Sequence, residues 1–126
     1  SNDAIDFSAT IAEVNNCNIT DVGDKGVSVG EESKIDINNL NINRCNVGIA
    51  SKDLSIIKVN NSIIKKSNYG IVIFEKKEEY GSAKVIANSA KFESVIQPYL
   101  IEKGSEFILN NKTILGNKKN ISKLFK

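Results

Sequence analysis

Residues 33–54 read SKIDINNLNINRCNVGIASKDL, and residues 55–76 read SIIKVNNSIIKKSNYGIVIFEK. The two stretches share a pattern of apolar, Asn and Gly positions at a constant offset of 22 residues. The matched columns are Ile35, Ile37, Asn39, Leu40, Ile42, Cys45, Gly48 and Ile49, then Ile57, Val59, Asn61, Ser62, Ile64, Ser67, Gly70 and Ile71. An internal repeat of this length predicts a solenoid, in which each repeat forms one coil and stacks on its neighbours.

The same columns continue in both directions along the chain. Upstream, with one residue inserted before Gly26, they are Ala12, Val14, Asn16, Cys17, Ile19, Val22, Gly26 and Val27, and Ala4, Ile5 and Phe7 fit the columns of Gly26, Val27 and Val29. Downstream they are Val85, Ala87, Ser89, Ala90, Phe92, Val95, Pro98 and Tyr99, then Phe107, Leu109, Asn111, Lys112, Ile114 and Asn117. The repeat therefore covers nearly the whole chain.

Apolar residues within each repeat lie two apart in short runs, which is the period of a β-strand. Strands that return in register one coil later pair in parallel, about 4.8 Å apart. We therefore predict one all-β domain over residues 1–126, a right-handed single-stranded parallel β-helix. Its expected coils are residues 8–32, 33–54, 55–81, 82–104 and 105–117, with a cap at 118–126.

Two sets of side chains follow from these coils. The first is a continuous core of inward residues, predicted to be Ile35, Ile37, Ile42, Ile57, Val59, Ile64, Val85, Phe92, Phe107 and Ile114. The second is a structural Asn ladder at the bend between two strands, predicted to be Asn16, Asn39, Asn61 and Asn111, with Ser89 in the same column. Asn tolerates the left-handed backbone of such a bend, and stacked amides hydrogen-bond along the stack.

These columns resemble the parallel β-helix repeat of pectate lyases, polygalacturonases and many bacterial surface proteins. The segments 24–31, 48–55 and 76–81 are similar to β-helix modules of secreted or surface proteins that accompany kinase-like domains of the CotH type. The resemblance implies a bacterial extracellular or cell-surface location and neighbouring domains of a longer parent protein as partners. No catalytic residue is implied here, because the kinase-like domain is a separate segment and a fold does not determine an activity.

Composition argues against several partners and cofactors. The formal charge is only +2, and sixteen of the seventeen cationic residues are Lys, so we expect no nucleic acid partner. No apolar run approaches the ~20 residues that span a bilayer, so we expect no membrane insertion. Cys17 and Cys45 are predicted to be free thiols, and without His they cannot complete a zinc site. We therefore predict no cofactor and no metal.

Hydrolases and lyases with this fold act on polysaccharides along the strand that follows the Gly column. Hydrolases need paired carboxylates there, and lyases need a basic residue with a calcium-binding carboxylate cluster. The outward positions of that strand are Lys25, Val47, Tyr69, Gln97, Ser28, Ala50, Val72 and Leu100, which include no carboxylate. We therefore predict no catalytic residue and no enzyme activity. For Asp21, Asp24, Glu31, Glu32 and Asp53, in turns, both solvated carboxylates and a weak calcium site remain open.

Five of these outward positions form an apolar strip, extended by Phe74: Val47, Tyr69, Ala50, Val72 and Leu100. Two alternatives remain open: an exposed groove that binds a protein or glycan, or a strip covered by a loop or a neighbouring domain. The third coil is longer than its neighbour by about five residues, all in the turn from Phe74 to Tyr80, and this turn is either a solvated loop or a recognition loop. The predicted binding residues are Tyr69, Val72, Phe74, Lys76, Lys77, Glu78, Glu79, Tyr80 and Leu100.

The sequence also indicates a role for the chain and its place in a longer protein. We expect a non-catalytic structural and interaction module of a bacterial surface or secreted protein. The alternative is the C-terminal coils of a polysaccharide lyase or hydrolase whose catalytic residues lie upstream. Because residues 4–7 fit the end of a coil, we expect the chain to be the C-terminal part of a longer protein. Ile121, Leu124 and Phe125 are predicted to form an amphipathic turn over the open end of the core.

Overall fold

A computed structural model describes residues 3–77 and 80–125 of the chain. These residues form nine β-strands and one short 3-10 helix. The strands are β1 Ile5–Ser8, β2 Ile11–Gly30, β3 Lys34–Lys52, β4 Ile56–Lys65, β5 Tyr69–Phe74, β6 Lys84–Glu93, β7 Gln97–Ile101, β8 Glu106–Leu109 and β9 Lys112–Leu115. The 3-10 helix spans Ile121–Phe125. With five residues, this helical element is far shorter than the ~20 residues that span a bilayer, and the described residues contain no longer helix.

Parallel pairing between successive coils organises the sheet. Strand β2 pairs with β3, and β3 pairs with both β4 and β5. Strand β4 then pairs with β6, and β5 pairs with β7. The register shifts between Val22 and Lys25, where the sequence comparison placed its inserted residue. The result is a parallel β-solenoid of about five turns, with coils of about 22 residues, as predicted.

The inward columns meet in one continuous core. Eight of the ten predicted core side chains are buried, and the remaining two, Phe92 and Ile114, are partly buried against the same cluster. Cys45 is a buried free thiol in this core, and burial raises its pKa, while Cys17 is a partly buried free thiol. The core prediction is therefore confirmed.

The glycine column is required by the close approach of successive coils. A Cβ atom added to Gly48 would lie 2.7 Å from the backbone oxygen of Gly70 and 2.9 Å from the Ile64 Cδ1 atom. At Gly70 an added Cβ atom would overlap the Pro98 backbone oxygen. A side chain at this turn would force the stacked coils apart, which explains why the repeat keeps glycine there.

The last predicted coil, 105–117, is only half a coil. Strand β8 pairs in parallel with β6, but β9 turns back and pairs antiparallel with β8. Asn110 and Asn111 form the two-residue turn between them, with φ of 47° and 71°. A two-residue turn with both φ angles positive is typical of a β-hairpin. The solenoid of about five turns thus ends in a hairpin, and Asn111 belongs to this hairpin turn instead of the ladder.

The C-terminal segment does not cover the end of the core. Residues 118–125, which we call the C-terminal strap, leave the hairpin and run along the outside of the solenoid. Lys118 pairs with Glu102 at the outer edge of the last coil, and the 3-10 helix then packs against the outer apolar strip. The expectation of a lid over the open end was therefore wrong, although the prediction that Ile121 and Phe125 contribute apolar packing is confirmed.

Candidate functional site

The predicted strip lies on the outer face of the strands that follow the glycine column. In β3, β5 and β7 the outward side chains form a second apolar cluster, separate from the core. Its buried members are Val47, Ala50, Val72, Phe74, Leu100 and Ile121, with Tyr69 and Phe125 partly buried beside them. The strip therefore exists where the repeat placed it, but it is not exposed.

The strap provides the cover. Ile121 is only 1% exposed, and the ring of Phe125 lies between two aromatic rings of the strip. Its centroid is 5.2 Å from that of Tyr69, at 78°, and 5.7 Å from that of Phe74, at 27°. Of the two alternatives for this strip, an open groove was wrong, and cover by a segment of the same chain is what the structure shows. Removing an apolar strip from water lowers the free energy of the folded chain, which explains why the strap packs over it.

One carboxylate anchors both the strap and the neighbouring loop. The Glu102 carboxylate accepts a hydrogen bond from the Ile121 amide at Oε2 and another from the Glu75 amide at Oε1, both 3.0 Å long. The Lys103 amide donates to the Lys118 carbonyl at 2.7 Å. Backbone amides bonded to a carboxylate make comparatively strong hydrogen bonds. Polar contacts at Glu102 and aromatic contacts at Phe125 therefore hold the two ends of the helix.

The predicted recognition loop is held down at its start. Asp53 is 2% exposed, and its Oδ1 atom accepts hydrogen bonds from the amides of Lys76 and Lys77, both at 2.7 Å. The Lys77 ammonium also donates to the Glu31 carboxylate, and this bond lowers the pKa of Glu31 and raises that of Lys77. Tyr80 donates its amide to the Lys77 carbonyl at 3.1 Å. The structure thus brings Lys76, Lys77 and Tyr80 to a turn fastened to the preceding coils.

Only part of this loop lies near the strap that covers the strip. Lys76, together with Glu75, Glu102 and strap residues Lys118 to Asn120, lines a cleft of about 380 Å³. Lys77 points to Glu31, away from the apolar cluster. The predicted binding residues Glu78 and Glu79 lie outside the described residues. Lys76 is therefore the one cationic residue of the predicted loop that the described structure places beside the strap.

Towards the N-terminal coils the same outer face is basic. Lys25 is 6% exposed and its ammonium contacts the Asp24 carboxylate at 3.1 Å. The pKa of Lys52 is lowered mainly by burial and, to a smaller extent, by the positive charge of Lys25. Carboxylates lie beside these lysines. Asp24 contacts Lys25, and Asp6, opposite Ser28, lines one cleft with Lys52, Glu31 and Asp53.

Carboxylates in the turns are engaged by cations and amides. Asp21 makes two hydrogen bonds with the Arg44 guanidinium, at 2.5 and 2.9 Å, and these bonds lower its pKa. Asp24 contacts Lys25, and Asp53 accepts the loop amides. Within residues 3–77 and 80–125, no three Asp, Glu or Cys side chains are grouped as metal ligands would be.

Asn side chains form ladders along the outside of the bend. The predicted column is confirmed over three coils: Asn39 donates to Asn16 at 2.9 Å and Asn61 donates to Asn39 at 3.4 Å. All three residues have φ between 54° and 61°, as the bend requires. The Asn column of the repeat therefore has both of its predicted roles, a left-handed bend and a stacked amide.

A second, longer ladder was missed in the sequence. It runs one residue earlier in each coil, where Asn38 donates to Asn15, Asn60 to Asn38 and Asn88 to Asn60, at 2.9, 3.0 and 3.2 Å. The signal that could have revealed it is the Asn-Asn pair that recurs at the bend of most coils. A cleft of about 460 Å³ lies beside the shorter ladder. Its lining includes Asn39, Asn41, Asn61, Ile63, Ser89 and Lys91.

Comparisons with known proteins add no family. No protein-family model matches the chain, and neither a curated protein nor a solved structure is significantly similar to it.

Proposed function

We propose that this chain is a non-catalytic structural and interaction module of a bacterial surface or secreted protein. The observation that carries the proposal is the state of the outer strip. Solenoid enzymes keep that face open and carboxylate-bearing, but here the part formed by β3, β5 and β7 is apolar and covered by Ile121 and Phe125. That covered part cannot admit a polysaccharide to a reaction centre. The module acts instead as a rigid spacer that binds a protein or a glycan.

Binding along the strip requires the strap to move. A partner segment with apolar side chains would compete with Phe125 for the rings of Tyr69 and Phe74. Aromatic and aliphatic anchors surrounded by charges, here Lys76 and Glu102, are typical of protein interfaces. The partners that fit this proposal are neighbouring domains of a longer parent protein or a wall glycan.

One observation favours the alternative, that these are terminal coils of a polysaccharide lyase or hydrolase with upstream catalytic residues. The edge of β2 from Ile11 to Val22 pairs with β3 on one side and with no described strand on the other. A further parallel coil would fit that edge. The parent reading frame separates the two proposals: carboxylate pairs on upstream outer positions favour the enzyme, and appended surface or kinase-like domains favour the module.

The experiment compares two strap variants with the wild-type chain. Phe125→Ala removes the ring that covers the strip, and Leu124→Ala, whose side chain is 62% exposed, is the matched control. Each protein is assayed for capture by the adjacent parent domains and by bacterial wall glycans, and for cleavage of those glycans and of polyuronates. We expect capture to rise for Phe125→Ala and to be unchanged for Leu124→Ala, with no cleavage by any protein.

Two outcomes would contradict the proposal. Cleavage of a polyuronate or wall glycan by the wild-type chain would overturn the non-catalytic assignment. Capture that is absent for the wild-type chain and both variants would overturn the interaction role and leave only a spacer.

A further inference from the structure

The shorter Asn ladder stops in the middle of the solenoid. Its amides donate towards the N-terminal coils, from Asn61 to Asn39 and from Asn39 to Asn16. The next position in the column is Ser89, whose hydroxyl makes no hydrogen bond to any described residue. In the adjacent ladder the same coil does supply its amide, from Asn88 to Asn60. The column thus lacks one amide, in a coil where its neighbour is complete.

The position that lacks an amide, Ser89, lines a cleft large enough for a small molecule. The cleft of about 460 Å³ is lined by both Asn61 and Ser89, on the rim where the ladder ends. Sites for small molecules have volumes of about 300–1,000 Å³. Serine is shorter than asparagine by one amide group, so the substitution in the column leaves room that an amide of another molecule could fill.

The free hydrogen-bonding capacity of Asn61 indicates which chemical group a ligand in the cleft would carry. An amide oxygen accepts two hydrogen bonds, and within the described residues the Asn61 Oδ1 atom accepts none. Each upstream amide oxygen of this ladder accepts one N–H from the following coil. A ligand amide at the level of Ser89 would therefore donate its N–H to Asn61 and continue the ladder.

The remaining lining residues narrow the ligand class. Ile63 is partly exposed and offers an apolar contact for a methyl group, while Asn41 and Ser89 offer polar contacts for hydroxyl groups. The Lys91 side chain is exposed at the cleft and attracts a carboxylate. An amide, a methyl group, hydroxyls and a carboxylate occur together in an N-acetylated sugar acid.

We propose that the gap in the ladder at Ser89 binds the acetamido group of an N-acetylated glycan, with a carboxylate of that glycan near Lys91. This inference rests on the proposed function in that it names a glycan as the partner. It adds a glycan site at the bend, on another side of the coils from the covered strip. The Asn61 oxygen, the Ile63 side chain and the Lys91 ammonium each recognise a different group of the sugar.

The sharpest test completes the ladder with the protein's own amide. Ser89 has φ of 55°, a conformation in which Asn is more favourable than Ser, so Ser89→Asn is expected to fold. Its new amide would bond to Asn61 and occupy the ligand's place. The matched control is Asn88→Ser, which removes an amide from the adjacent ladder, outside the cleft.

Binding is followed by amide chemical shifts during titration of the full chain. The probes are the disaccharide of N-acetylglucosamine and N-acetylmuramic acid, chitobiose as an uncharged acetamido sugar, and cellobiose without acetamido groups. We expect shifts at Asn41, Asn61, Ser89 and Lys91, strongest with the first probe and absent with cellobiose. Losing the acetamido bonds should weaken binding by about tenfold in Ser89→Asn and leave Asn88→Ser unchanged.

Three results would overturn the inference: no shifts at the cleft with either acetamido sugar, equal binding of cellobiose, or unchanged binding by Ser89→Asn. An equal loss in Asn88→Ser would also contradict it, because the effect would then come from the ladder as a whole. Capture of wall glycans without chemical-shift changes at the cleft would reject this site and leave the interaction module intact, whereas glycan cleavage would reject the proposed function itself.

Discussion

The ring of Phe125 meets the ring of Tyr69 edge-on, with centroids 5.2 Å apart, although the two residues are separated by more than two coils of sequence. This contact closes the outer strip that solenoid enzymes leave open. It links the last residues of the described chain to the third coil, and it makes the strip available only when the strap leaves.

Replacing Phe125 tests how the strap is held. Phe125→Ala removes two ring contacts, each of which contributes about 0.5–1.5 kcal/mol. We expect the strap amides from Ile121 onward to exchange with solvent faster, while the amides of the core strands keep their protection. Hydrogen exchange followed by mass spectrometry measures this difference, with Leu124→Ala as the exposed control. Equal exchange in the two variants would mean that Phe125 does not hold the strap.

Deleting a core side chain tests the register of the coils. Ile64 is fully buried, and its Cδ1 atom lies against the glycine turn of the coil before it. Ile64→Ala should lower the free energy of unfolding by about 2–5 kcal/mol, because the stacked coils cannot collapse into the cavity. Chemical denaturation measures the loss, and Ile96→Ala, with its side chain 82% exposed, is the control. A loss under about 1 kcal/mol for Ile64→Ala would contradict the register.

The buried Asp53 carboxylate should determine the order of the adjacent loop. Asp53→Ala leaves the amides of Lys76 and Lys77 without their acceptor, at a cost of about 1–3 kcal/mol. Asp53→Asn keeps an oxygen in the same place and tolerates the φ of 52°, so its loss should be smaller. Thermal unfolding and amide exchange at the two lysines compare the variants. Identical behaviour of the alanine and asparagine variants would show that the oxygen does not fix the loop.

The Asp21–Arg44 pair predicts a pH dependence. Hydrogen bonds from Arg44 hold the pKa of Asp21 below its ordinary value of about 3.9. A carboxyl group whose pKa is lower in the folded state adds stability above its unfolded pKa and loses that contribution as the pH falls through the folded pKa. Carbon-detected NMR titration should place the Asp21 midpoint below that of free aspartate and raise it in Arg44→Ala. An unchanged midpoint in this variant would show that the pair does not form in solution.

The core and the coil register could be predicted because burial acts on every repeat in the same way. Ile35, Ile57 and Val85 occupy one column, and each must face inward once the strands are stacked. A slip of one residue would turn a whole strand inside out, so the alternating pattern leaves a single register. The shorter Asn ladder followed from the same columns.

Contacts that depend on direction could not be predicted from those columns. The alternating residues of β9 suit a parallel or an antiparallel neighbour equally, and the decision lies in the two-residue turn at Asn110 and Asn111. The spacing of Ile121 and Phe125 shows that they bury an apolar face, but does not show whether that face meets the end or the side of the solenoid. The strap packs on the side of the solenoid because Glu102 and the strip offer polar and apolar contacts together there.

The measurement that tests the covered strip most directly is a nuclear Overhauser spectrum of the full chain with labelled aromatic side chains. We expect cross-peaks from the Phe125 ring to the rings of both Tyr69 and Phe74, and from Ile121 to the methyl groups of Val72 or Leu100. A folded chain with a sharp, solvent-exposed Phe125 signal and none of these cross-peaks would contradict the account, because the strip would then be open.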